Sequence, residues 1–248
     1  MLWLLGCLGQ KDAGQIQPWW ETDSGSDSEG ATEDSEPDSE PVDDEPIHPS
    51  FLSGWELTAC PAYAPFYAQS GRWEYQLAIA TDYSWLSSLH GQDVYLQQPV
   101  YKEVVENYTY AYARNLERRW VCTELGLALA GVTETSSLKG IVSYSEVVYD
   151  PPLMLLPGEI ANMQSWVAAG TMYFRSGSSY NEGEWKQADY GEEMELLEPG
   201  LFYLDGQEYS TLRVQALGEH WDWVEGIGLV AQSAYGDEAT LIRYYLSW

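Results

Sequence analysis

Residues Trp73-Glu74-Tyr75-Gln76-Leu77-Ala78-Ile79-Ala80-Thr81 alternate a large apolar side chain with a small or polar one. A period of two places Trp73, Tyr75, Leu77 and Ile79 on one face of an extended chain, with Glu74, Gln76, Ala78 and Ala80 on the other. That predicts a strand with a single packed face. Downstream, Val100 to Tyr112 and Arg119 to Leu129 keep the rhythm, and the polar corner Arg114-Asn115-Leu116-Glu117 joins them as a long hairpin. Gly140 to Tyr149 and Ser165 to Arg175 read the same way. Turn chemistry marks two more hairpins: Asp205-Gly206 between Leu201–Leu204 and Tyr209 to Leu217, and Gly236-Asp237 between Gly228–Ala234 and Ala239–Leu246. Only Tyr83 to His90 and Glu159 to Gln164 read as helical turns. The expected fold is all-β: a single strongly curved antiparallel sheet or half-open barrel of roughly nine to eleven strands, with short turns and little helix. It occupies residues 51–248 as one domain.

The chain holds 39 acidic against 11 basic residues, a formal charge of −28. Such a balance repels phosphate backbones, so nucleic acid is not expected as a partner. The acidity also extends beyond the tail into the folded part, where it fits a hydrated, soluble surface; no Asp/Asn/Gly run has the spacing of a calcium loop. Aromatic usage is uneven, with 12 Trp and 19 Tyr against 4 Phe.

The chain opens Met1-Leu2-Trp3-Leu4-Leu5-Gly6-Cys7. This resembles the lipobox of bacterial lipoproteins, in which a small residue precedes a cysteine that becomes lipidated. Residues 1–7 are thus expected to be a truncated signal peptide and Cys7 the lipidation site, anchoring the chain to a membrane. Residues 8–50 are rich in Ser, Asp, Glu, Pro and Gly and bury almost nothing. They read as a disordered acidic tether, or as a solubilising tail without a lipid. Leu8 after the cysteine, by resemblance to enterobacterial sorting, implies the outer membrane. With Cys7 so assigned, Cys60 and Cys122 remain as a pair. Bridged, they would close a loop of about sixty residues, worth roughly 4 kcal/mol, in an oxidising compartment such as the periplasm. Two buried free thiols are the other reading.

Three segments carry a further resemblance. Pro65-Phe66-Tyr67-Ala68-Gln69-Ser70-Gly71-Arg72-Trp73-Glu74-Tyr75 resembles the opening of a group of uncharacterised bacterial envelope lipoproteins. Pro151–Pro157, followed by Ser165-Trp166 and Gly170-Thr171, is similar to the middle of that domain. Glu219–Val230, with Ala239–Tyr245, is similar to its end. The resemblance implies a lipid-anchored domain with a curved β-sheet, like lipoprotein carriers or lipocalin-like half-barrels, and it implies no enzyme.

If the curved sheet encloses an apolar or lipid-like ligand, the lining would come from Trp73, Tyr75, Leu77, Ile79, Val104, Tyr108 and Trp166. Trp221 and Trp223 would stand at its mouth, where Gly226 and Gly228 allow a bulge. The same side chains serve equally as plain core. Outward aromatics would instead make a glycan- or protein-binding surface, and the Ser176–Trp185 loop has that composition. A purely structural surface component is the third reading. Catalytic signatures are missing: no Gly-x-Ser-x-Gly elbow, phosphate cradle or His-Glu-x-x-His. Glu192, Glu193 and Glu195 read as a solvated acidic face, and His48, His90 and His220 are too scattered for a metal site. The chain is read as a non-enzymatic binding protein of the cell envelope, with no cofactor and no metal.

Overall fold

The computed structural model describes residues 48–49, 53–64, 70–77, 84–108, 112–138, 140–179, 181–234 and 237–246. Cys7, most of the tether and Ile79 lie outside them. Fourteen strands follow in order: β1 (Ser70–Leu77), β2 (Ser84–Tyr95), β3 (Gln98–Tyr108), β4 (Tyr112–Thr123), β5 (Gly126–Leu138), β6 (Ile141–Pro157), β7 (Ser165–Ser178), β8 (Lys186–Leu197), β9 (Leu201–Leu204), β10 (Gln207–Ser210), β11 (Leu212–Ala216), β12 (Glu219–Val224), β13 (Gly228–Ala234) and β14 (Asp237–Leu246). A 3-10 turn at Ile160–Asn162 interrupts the series.

Twelve strands close into an antiparallel barrel in the order β1-β14-β13-β12-β11-β8-β7-β6-β5-β4-β3-β2, while β9 and β10 form a separate hairpin. The sheet therefore closes on itself, and the barrel has more strands than the sequence pattern shows. Two barrel connections and the turn of the β9–β10 hairpin are two-residue turns with positive φ at both positions: Leu96-Gln97 (48°, 64°) and Leu217-Gly218 (56°, 71°) in the barrel, and Asp205-Gly206 (51°, 79°) in the hairpin. That is the backbone a type I′ hairpin requires.

Two expectations fail here for the same reason. Of the stretch read as a helical turn at Tyr83–His90, residues 84–90 lie instead in β2, paired with β1 from Gln76↔Ser84 to Ser70↔His90, and Tyr83 lies outside the described residues. The corner read at Arg114–Glu117 lies inside β4. In both, a polar residue points inward and finds a partner there: Ser87 donates to Glu103 at 2.5 Å, and Arg114 forms a two-pronged pair with Glu134, both contacts at 2.7 Å. The 119–129 run is likewise two strands, parted at Glu124-Leu125.

A barrel of twelve strands has a bore wider than aliphatic side chains alone fill. Large rings occupy it. Trp120 is fully buried, with Trp221 and Trp223 edge-on at 6.3 and 6.4 Å and those two stacked on each other. Leu127, Leu129, Leu153, Leu155 and Met194 pack around them. The polar tips of three further bore rings reach acceptors. Trp73 Nε1 donates to the Ile227 carbonyl (3.4 Å), the Tyr75 hydroxyl to that of Leu229 (3.0 Å), and Trp166 Nε1 to that of Met154 (3.0 Å).

Other charged side chains face outward. Glu117 on β4 pairs with Lys102 at 3.0 Å and Arg119 at 3.2 Å, and Glu74 on β1 pairs with Arg72 and Arg243. On β8, Asp189, Glu193 and Glu195 are exposed. A lipid-facing barrel carries an apolar belt on its outer face, where these charges stand here. Among the described residues no helix is long and apolar enough to cross a membrane.

Candidate functional site

Trp73, Tyr75, Trp166, Trp221 and Trp223, the rings expected to line a ligand cavity, are all buried in the bore. Leu77 and Tyr108 lie in β1 and β3, but their side chains fall outside the described set, as does Ile79. Val104 sits on the opposite face of β3 from the buried Tyr101, Glu103 and Val105. Between Trp73, Tyr75, Leu89 and Leu229 the open space is about 10 Å³, room for one water molecule. Among the described residues, these rings pack closely and enclose only that small space.

Set among them is a buried polar chain. Glu103 accepts hydrogen bonds from Trp120 Nε1 (2.7 Å) and the Ser87 hydroxyl, with Arg118 Nη1 at 3.7 Å. Arg118 Nη2 donates to Gln232 Oε1 at 3.1 Å, and Gln232 Nε2 donates to Glu219 Oε2 at 2.8 Å. The Arg118 guanidinium also lies over the Trp221 ring at 5.1 Å. Burial pushes the Glu219 carboxyl up to about 7, against the opposing pull of the Gln232 hydrogen bond and of Arg118 and Arg114. Burial likewise drives the Tyr75 phenol up. Ser87 has Glu103 as its neighbour rather than an imidazole, because His90 and His220 are exposed. The chain of polar groups links β2, β3, β4, β13 and β12 through the barrel interior.

The open site is at the end of the barrel. Residues 53–64 form a strap. Trp55 Nε1 donates to the Pro99 carbonyl at 2.7 Å and the Thr58 N–H to the Cys122 carbonyl at 2.8 Å. A disulfide then joins Cys60 to Cys122 on β4, with Cα atoms 4.9 Å apart. From there the strap crosses to the β12–β13 turn, where the Gly226 N–H donates to the Ala62 carbonyl at 2.9 Å. Between strap, β4–β5 turn and 3-10 turn lies a cleft of about 350 Å³, whose wall includes Pro61, Tyr63, Leu156, Pro157, Ile160 and Ala161. Gly126 permits the close fit of this rim, since a Cβ there would stand 2.0 Å from the Leu156 carbonyl. Such a volume, with an apolar wall, is the size of a small-molecule site. Sequence reasoning missed these residues; the Cys60–Cys122 pairing was the one signal that brought the segments together.

In the Ser176–Trp185 loop the one described ring is covered by its neighbours. Trp185 is half-buried, with the Arg175 guanidinium 4.6 Å over its ring and His48 edge-on at 6.3 Å. Arg175 is itself held by Glu146 (2.9 Å) and Glu182 (2.6 Å); Tyr180 lies outside the described residues. Along β8, Glu192 faces the bore while Glu193 and Glu195 face solvent, and burial pushes the Glu192 carboxyl up. Among the described residues no three His, Cys, Asp or Glu side chains gather as a metal site.

Comparison of the chain with protein-family models, curated proteins and solved structures finds no match.

Proposed function

We propose that this chain is a non-enzymatic lipoprotein of the bacterial cell envelope, anchored at the outer membrane through Cys7, which binds an apolar or lipid-like ligand in the cleft beneath its strap. The observation that carries the reading is the cleft itself: about 350 Å³ with an apolar wall, one side of it bonded covalently to the barrel. A site fixed before binding loses less freedom when a ligand enters. The disulfide also fits an oxidising compartment outside the cytoplasm. The inward direction of Trp73, Tyr75, Trp166, Trp221 and Trp223 favours this reading over glycan stacking, which needs such rings in solvent.

The test is a titration with the neutral dye N-phenyl-1-naphthylamine, chosen because the anionic surface repels anionic probes and attracts cationic ones. Wild-type protein should enhance its fluorescence saturably, and Ala161→Trp, which fills the cleft from an exposed position, should remove the enhancement. Saturable binding unchanged by Ala161→Trp would refute the site. Anchoring is checked separately: Cys7→Ala should move the protein from the membrane to the soluble fraction.

A further inference from the structure

We propose that the open edge of β8 accepts an extended, basic peptide as an added strand. β8 pairs with β7 along its length, from Ser165↔Glu195 to Phe174↔Lys186. On its other side it meets β11 at only three positions, Arg213↔Leu197, Val214↔Leu196 and Gln215↔Glu195. Among the described residues, Lys186 to Met194 therefore has no strand beside it there. At about 3.4 Å per residue the open edge is roughly 30 Å long, enough for a full strand of backbone hydrogen bonds.

The charges beside this edge select its partner. Asp189, Glu193 and Glu195 point to solvent, and none forms an ion pair among the described residues. Charges on an edge strand guard against self-association, and they do so here. A second copy adding itself through β8 would oppose carboxylate to carboxylate across the pair, and this chain's acidic tail is repelled for the same reason. A strand carrying Lys or Arg at alternate positions instead brings cations to these acids while its backbone completes the edge. The seam stands apart from the strap cleft, so this inference does not depend on the ligand proposed there.

The experiment uses the full chain and a fluorescent peptide of about eight residues alternating lysine with threonine. Anisotropy should show saturable binding at low salt. The backbone N-methylated peptide has the same charge but cannot donate to an edge, and it should bind at least about ten-fold more weakly. The tail would attract both peptides alike, so that contrast isolates strand pairing. The double variant Asp189→Asn, Glu193→Gln should weaken the unmodified peptide several-fold, and amide exchange should slow within residues 186–194 when that peptide binds. Absence of binding, equal binding of the methylated peptide, or protection confined to other strands would each overturn the proposal.

Discussion

Glu219 shows how one buried residue ties this fold to pH. It stands at the start of β12, donated to by Gln232 and within the field of Arg118 and Arg114, yet burial dominates and raises its carboxyl to about 7 from an ordinary 4.5. The folded protein therefore keeps a proton that the unfolded chain releases above about pH 4.5. Proton binding by the native state alone means that stability falls as pH rises through this window and levels off above about 7. The shift corresponds to a loss on the order of 3 kcal/mol across it. Glu219→Gln retains an acceptor for Gln232 and removes the titration. Urea unfolding at pH 5 and pH 8 should show the variant gaining on wild type as pH rises, by up to about 3 kcal/mol; parallel profiles would assign the pH dependence elsewhere. The same logic explains why the chain fills its bore with Trp and Tyr rather than Phe. Such a ring supplies apolar volume, and its N–H or O–H can meet a carbonyl or carboxylate that would otherwise lie unpaired, as at Trp73, Tyr75, Trp120 and Trp166; Trp221 Nε1, also buried, has no such partner.

At the scale of elements, the turns show where local preference and fold disagree. Asp205-Gly206 suits a left-handed pair and is readable from sequence, whereas Leu96-Gln97 adopts the same backbone with side chains that disfavour it. Replacing Leu96-Gln97 by Asn-Gly should raise the unfolding free energy by about 1–2 kcal/mol, seen as a higher denaturant midpoint with an unchanged slope. The strands follow a similar division. β1 and β14 are legible because their inward residues are apolar, so a period of two emerges. β2 and β4 are hidden because Ser87 and Arg114 point inward and are satisfied by Glu103 and Glu134 on neighbouring strands, which no local pattern can reveal. Closure of the ring is equally non-local, since it joins β1 to β14 across most of the chain. The ring face of β1 was readable as packed; the cleft was not, because its walls come from residues 58–63, 123–126 and 156–161, each unremarkable alone.

For the whole molecule, the Cys60–Cys122 bond decides whether the strap belongs to the barrel. The two cysteines are 62 residues apart, and a loop of that length restrains the unfolded chain by about 4 kcal/mol on the entropic account. The barrel's own cohesion lies in its twelve-strand ladder and filled bore, neither of which requires the strap. The strap is held otherwise by the hydrogen bonds of Ser53, Trp55, Thr58 and Ala62, the burial of Ala64 and the packing of Trp55, Leu57 and Tyr63 against the core. Such a segment opens locally at much lower cost than the barrel unfolds. Cys60→Ala, Cys122→Ala should therefore lower the unfolding free energy by about 4 kcal/mol while keeping the far-ultraviolet spectrum of the folded sheet. It should also lose dye binding, because one wall of the cleft is then free to leave. Peptide binding at the β8 edge should persist in the same variant, since that seam rests on β7 and not on the strap. Loss of both activities together would mean that the disulfide maintains the barrel itself, and retention of dye binding would mean that the cleft does not need its covalent wall.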